Sequence, residues 1–334
     1  MLSAACGSSG NTPIPGGGGA LASALPGTDD KLIQQAQEEG QLVLYGSPRD
    51  EAMKADADAF RAAYGINVSF TRIAGAPLTS RVDAEVNAGR VAVDVVFSPD
   101  VAALDRWAAG GALEPIPEVD YPTRERYYAV MQIVGQGIVY NTDLVSGGDV
   151  PKTWNDLLNP KFKDMVVIGD PSTSGAYSQN YFALLKDKRY GEDYFDKLKA
   201  QSPRVETLAI VNQSVAAGDA AIGFTSFPTD PNIIKSTAPT APIEFAYLDV
   251  VSTANTYLAT MANSPHPNAA KLFAAFMMSR EGQTAHNGDD RATSPLGELD
   301  GTLPAPDPDV VSDVTVVEAT KELSTVVDLF RRLY

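Results

Sequence analysis

Two histidines and one cysteine in 334 residues leave little for thiol or imidazole chemistry. A disulfide framework, a zinc cluster and a CxxC redox pair are all excluded within one chain. No apolar run after the first few residues approaches the length of a transmembrane helix. Basic residues are also scarce: 26 Lys plus Arg stand against 42 Asp plus Glu, a formal net charge of −16. So acidic a body repels phosphate backbones, which argues against nucleic-acid binding. The sign of a small ligand stays open, because a pocket answers to its local charges. What is present is an ordinary globular mixture, 44% hydrophobic and 20% charged, long enough for one large domain or two moderate ones.

The lone cysteine is Cys6, preceded by Leu2-Ser3-Ala4-Ala5 and followed by Gly7-Ser8-Ser9-Gly10 and four glycines at 16–19. Small residues before a near-terminal cysteine resemble the end of a bacterial lipobox, where that cysteine becomes lipidated. Ser3 stands where the motif usually has Leu, and the charged and apolar regions of an export signal do not precede it. Residues 1–28 read as a lipoprotein leader and flexible linker, with an unmodified thiol as the alternative. A lipid there anchors the protein to a membrane without spanning it.

From residue 29 helices and strands alternate. Asp29 and Asp30 cap a helix over 31–39 that Gly40 stops. Apolar runs at 42–45, 66–73 and 93–97 read as strands; 49–64, 78–88 and 101–109 read as helices, the first with Met53, Ala57, Phe60 and Tyr64 on one face. A second unit shows strands at 137–140, 165–168 and 220–224 and helices at 174–187, 191–200 and 209–217. The pattern then resumes with a strand at 257–261 and helices at 268–278 and 314–333. Such alternation predicts an α/β fold with a largely parallel sheet. Ligands of these sheets sit at the carboxyl ends of strands, here 46–49, 74–77 and 98–100.

Four segments carry a resemblance. They are Gly137-Ile138-Val139-Tyr140-Asn141-Thr142-Asp143-Leu144-Val145, the run 151–163 containing Pro151-Lys152-Thr153-Trp154, Asp170-Pro171-Ser172-Thr173-Ser174-Gly175-Ala176, and the run 265–283 from Pro265-His266-Pro267 to Gly282-Gln283. In this order they resemble the extracellular solute-binding proteins of ABC importers, in the branch of ferric-ion, phosphonate and sugar-phosphate binders. The resemblance implies a two-lobed type II periplasmic-binding-protein fold, with mixed, mostly parallel sheets and hinge strands. Lobe 1 would take 29–135 and 247–300, lobe 2 136–246, with a C-terminal helix at 312–334 packing on the lobes. The implied partners are a small-molecule ligand, permease subunits and, through a lipid anchor only, the outer face of the membrane or the periplasm. The chain would act as a monomer without a cofactor.

Ferric members typically bind iron with a histidine after the first strand and a tyrosine pair after the strand that follows a Gly-Glu pair. Here those places hold Gly46-Ser47-Pro48-Arg49 and, after Gly218-Asp219, the stretch Thr225-Ser226-Phe227-Pro228-Thr229-Asp230. An arginine repels a hard cation that wants phenolate and carboxylate oxygens. The anion subsite corresponds to Ser174-Gly175-Ala176, where the free N–H groups at a helix start can hold phosphate or carboxylate. Ser172 and Thr173 add hydroxyls; a plain Ser/Thr helix cap is the alternative. Arg49 at the start of a helix suits a bidentate anion, or pairs with Asp50 or Glu51 on the surface. Arg72 and Arg81 are weaker candidates. Gly75 and Ala76 match the family's small-residue loop. Tyr140 and Tyr247 mark the hinge crossings as packing or contact residues. Ser47, Ser98, Thr207, Thr225 and Ser226 complete the candidate set.

His266 reads as a surface residue at a helix start, His286 as a loop residue, and Tyr127-Tyr128 as packing. No Ser/His or Cys/His arrangement supports an enzyme. The expectation is a receptor that captures a small anion by hinge closure. Its alternatives are a ferric-ion carrier, or an enzyme or sensor on the same scaffold.

Overall fold

The computed structural model describes residues 28–116, 121–124, 126–172, 175–314 and 316–334. Cys6 and its linker, and Thr173 and Ser174, lie outside them.

Local chemistry sets the first elements. α1 (Asp30–Glu39) starts where the Asp29 carboxylate accepts the Leu32 N–H at 2.8 Å and stops at Gly40, whose φ of +68° few other residues adopt. β1 (Gln41–Gly46), α2 (Asp50–Tyr64), β2 (Asn67–Arg72), α3 (Ala76–Asn87), β3 (Val95–Ser98) and α4 (Val101–Ala109) follow. The predicted face of α2, with Met53, Ala57, Phe60 and Tyr64, is buried. Phe60 packs edge-on against Phe273 at 5.0 Å between ring centres.

β1 pairs parallel with β2 and β3. The sheet continues through strands that the sequence reading left out: β4 (Thr123–Arg124) and β5 (Tyr128–Gly135). β6 (Gly137–Asn141) opens a second sheet. Its other members are β7 (Val166–Gly169), β8 (Arg204–Glu206), β9 (Ile222–Ser226) and β10 (Ile243–Ala246). Interleaved are α5 (Gly175–Lys186), α6 (Gly191–Lys199), α7 (Leu208–Ala216) and α8 (Asp230–Thr237). β11 (Thr253–Thr260) returns to the first sheet between β3 and β5, antiparallel to both. In the second sheet β6 likewise runs antiparallel to β9 and β10, while β7 is parallel to β8 and β9. The sheets are mixed, and less parallel than the alternation suggests, because the returning strands run backwards.

The chain thus changes sheet at Gln136 and again between Ala246 and Thr253, and the two crossings touch. A Cβ on Gly135 would lie 2.7 Å from the Tyr247 ring, and one on Gly137 only 2.2 Å from the Ala246 carbonyl oxygen. Gln136, fully buried, donates its N–H to Ser252 O at 2.9 Å. A third crossing follows α9 (Pro267–Met277) and α10 (Arg280–Asn287): Val251 donates its N–H to Val310 O and accepts the Ser312 N–H, each at 2.8 Å.

The C-terminal helix expected over 314–333 is two helices, α11 (Val316–Lys321) and α12 (Leu323–Leu333), broken at Glu322. α12 buries Val326, Leu329, Phe330 and Leu333 in the core of the second sheet, beside Trp154, Tyr181 and Phe224. The first sheet has cores on its two faces, one around Phe60 and Phe273, the other around Trp107 and Tyr128. Tyr128 packs as expected: its hydroxyl donates to Asp105 at 2.6 Å and its ring meets Tyr257 edge-on. No helix among the described residues is long and apolar enough to cross a membrane.

His286 departs from its sequence reading. It lies on α10, not in a loop, and is 1% exposed. His266 does start a helix, but its ring sits 2.8 Å from the buried Asp94 carboxylate, which also accepts the His266 and Val43 N–H groups.

Candidate functional site

Between the two sheets lies a cleft of about 750 Å³. One wall is the turn from β1 into α2. There the Ser47 N–H donates to Phe97 O at 3.0 Å, and Arg72 Nε to Pro48 O at 3.0 Å, so the turn is tied to both neighbouring strands. Arg49 follows at the N-cap of α2, exposed and with extended backbone. Its guanidinium makes no ion pair or hydrogen bond with a described residue; Asp50 and Glu51 do not engage it. A cation at a helix N-terminus is electrostatically unfavourable, and Arg49 stands in the cleft without a hydrogen-bond or ion-pair partner among the described residues.

The opposite wall is the β9–α8 connection, residues 227–230, with Leu208 and Ile233 beside it. Asp230 is buried and accepts the Phe227 N–H at 2.8 Å. Burial pushes its carboxyl above the usual range, opposed by hydrogen bonds from Phe227 and Asn212 and by the positive charge of Arg49 across the gap. The floor is made by β5 and β11, through Gln132, Ile133, Val134, Ala254, Asn255 and Thr256.

His286 reaches the cleft from below. Its Nδ1 lies 2.8 Å from Asp56 on α2, and its Nε2 is buried without a partner among the described residues. Burial raises the Asp56 carboxyl above its ordinary value, with His286 and then Arg291 opposing. Arg291 donates to the carbonyls of His286 and Ala285 and to Asp289, which ties the loop after α10 to the cleft rim.

Of the residues chosen from sequence, Ser47, Arg49 and Arg72 line the cleft. Thr207 is exposed at the N-cap of α7, next to cleft-lining Leu208. Gly75 and Ala76 begin α3 in exposed positions, Gly75 at φ +67°, and do not line the cleft. Ser98 is buried and accepts the Asp100 N–H at 3.1 Å. Ser172 spends its N–H and hydroxyl on Asp170, at 2.8 and 2.7 Å. Gly175 and Ala176 open α5 at the expected helix start. Thr225 and Ser226 turn inward: the Thr225 hydroxyl accepts from Asn180 at 2.7 Å and the Ser226 hydroxyl donates to Asn212 at 2.8 Å. Thr225 does so at φ +63°, a strained backbone for a β-branched residue. Tyr140 sits opposite Glu244 in the second sheet, its phenol pushed up mainly by burial. Tyr247 packs on Phe245 and Gly135, its phenol pushed up to about 12 by burial. Arg81 is bound by Tyr45 and Glu85. The sequence reading missed His286 and the Asp289-Asp290-Arg291 loop, whose run of charges after a helix end was the available signal.

None of the described residues lining the cleft is a tyrosine, and no three His, Cys, Asp or Glu among the described residues are grouped to hold a metal ion.

The family profile described as bacterial extracellular solute-binding protein matches residues 46–284. A major ferric iron-binding protein of Neisseria meningitidis is 27% identical over 270 residues, 73% of this chain and 77% of that one. Iron-bound HitA from Pseudomonas aeruginosa superposes with a TM-score of 0.64 at 23% identity, over 88% of this chain and 99% of its own. AfuA from Actinobacillus pleuropneumoniae, with fructose-6-phosphate bound, gives 0.56 at 22% identity, over 88% and 98%.

Proposed function

The chain belongs to the bacterial extracellular solute-binding proteins, and from that membership we propose that its cleft captures a small anion, a phosphonate, phosphate ester or carboxylate. It is a solute-binding receptor of an ABC importer. The observation behind the anion is Arg49, a guanidinium at a helix N-terminus with no partner from the described residues, facing the gap. In this reading the two sheets are the centres of two lobes, the glycine-lined crossings are the hinge, and closure brings the start of α5 and residues 227–230 toward Arg49. The work is desolvation and closure rather than bond chemistry. Delivery is to permease subunits, by a monomer anchored through lipid at Cys6.

A ferric cargo is the second reading, since the Neisseria relative carries that name. Calorimetry with phosphate, phosphonates, sugar phosphates, carboxylates and ferric salts separates them. A charge-assisted hydrogen bond contributes roughly 1.5–3 kcal/mol, so Arg49→Ala weakens an anion about tenfold or more. Tight one-to-one ferric uptake with a visible tyrosinate band, indifferent to Arg49→Ala, refutes the anion.

A further inference from the structure

We infer that Arg72 is the second arm of the anion site, and that the two guanidiniums on this wall select a doubly charged head, a phosphate monoester or phosphonate, over a single carboxylate or sulfate ester. This rests on the anion reading above and narrows it.

β1 and β2 run parallel, and Gly46 lies opposite Arg72 at their carboxyl ends. That is the edge where such sheets place ligands. Arg49 follows shortly after β1 and Arg72 is the last residue of β2, so the topology brings both to one wall of the cleft. Arg72 is tied there by its Nε–H, donated at 3.0 Å to Pro48 O, the carbonyl of the peptide that joins Pro48 to Arg49. Among the described residues its side chain makes no other hydrogen bond or ion pair. Its terminal Nη groups are therefore available to a solute, as is the whole guanidinium of Arg49.

The charge around the pair makes it unusual. Carboxylates outnumber basic side chains 42 to 26, and Arg61, Arg81, Arg106, Arg189 and Arg291 each meet one. Arg49 and Arg72 meet none among the described residues. The carboxylates that line the cleft are placed elsewhere on it. Asp230 on the opposite wall accepts the Phe227 N–H, Asp289 pairs with Arg291, and Asp290 beside it engages neither arginine. Two like charges on one wall repel. An oxyanion with two charges offsets both, whereas one with a single charge leaves a guanidinium uncompensated. The guanidinium fork also matches the oxygens of a phosphoryl head. The body of the solute can carry hydroxyls, because Gln132, Thr229, Asn232, Asn255 and Thr256 line the same cleft.

The test is calorimetry at pH 8 and fixed ionic strength with two pairs of esters matched in size: methyl phosphate with methyl sulfate, and glucose 6-phosphate with glucose 6-sulfate. The phosphates carry two charges at this pH, their second pKa being about 6, and the sulfates one. Wild type should bind a phosphate about tenfold or more tighter than its sulfate. Arg72→Ala should weaken the phosphate about tenfold or more and bring the ratio toward one. Arg72→Lys, which keeps the charge but not the fork, should retain part of it. Arg90→Ala removes an exposed charge outside the cleft and should change neither affinity. In wild type the preference should shrink as pH falls from 8 to 5 and the phosphate loses its second charge. Thermal melts confirm that each variant is folded. A phosphate bound no tighter than its sulfate, a ratio insensitive to Arg72→Ala, or an equal loss in Arg90→Ala overturns the arginine pair while leaving the anion intact. Absence of binding by all four compounds overturns both.

Discussion

Gly137→Ala tests the close approach of the two sheet crossings most directly. The new Cβ would lie 2.2 Å from the Ala246 carbonyl oxygen and 2.8 Å from the Phe245 ring, where ordinary contact begins near 3.4 Å. The nearer atom is backbone, so no rotamer change relieves it; the crossing segments must separate by about 1 Å. Overpacking of this kind costs roughly 1–3 kcal/mol. Removing the unfolded-state freedom of glycine returns about 0.4–1 kcal/mol. The net expectation is about 1–2 kcal/mol of lost stability. With a slope near 3 kcal/mol/M, that moves the urea midpoint down by about 0.5 M. Gly148→Ala is the matched control, since a Cβ there meets nothing within 4 Å. Tryptophan fluorescence can follow both, because Trp107 reports on the core of the first sheet and Trp154 on that of the second. Coincident midpoints for the two variants would refute the close crossing.

His286→Ala leaves the buried Asp56 carboxyl without its hydrogen-bond partner, and an unsatisfied buried polar group costs about 1–3 kcal/mol. Burial holds the Asp56 carboxyl above its ordinary value, so the folded state binds its proton more readily than the unfolded state. Stability from this group falls as pH rises from the ordinary carboxylate range through that elevated value, and the variant's deficit should shrink as pH falls back through it; a deficit independent of pH in urea titrations contradicts this. Cys6→Ala in the full-length gene should abolish labelling by a fatty-acid probe, and retained labelling removes the lipid anchor.

Local signals made much of the fold legible. Asp29 and Gly40 bracket α1 through their own cap bonds, and α2 shows its buried face in its apolar spacing. α10 was hidden because what it buries is polar: Asn287 donates to Gln283 Oε1 and to Met131 O, and His286 meets Asp56. β5 was hidden because the strand that pairs along its length, β11, lies far along the chain. The same divide runs through the site. Ser47 and Arg49 follow from the rule that strand ends carry ligands. The inward turn of Thr225 and Ser226 does not, since every residue of β9 is buried and alternation gives no side. His286 looks isolated in sequence because its partner Asp56 is 230 residues away.

The third crossing has a consequence for how the molecule is made. The first sheet waits for β11 to fill the place between β3 and β5, and the second core waits for α12, the last helix in the chain. Glu39 holds the N-terminus of α9 across 230 residues, and Trp154 reaches Asp249 across 95. Contacts of such long separation form only after the distant segment has been made, and their closure is slower than that of local contacts. The first sheet and its core stay incomplete until β11 and α9 are made and the second core until α12 is made, so much of the growing chain stays open. That openness is the condition a secretion channel requires of a polypeptide it must thread.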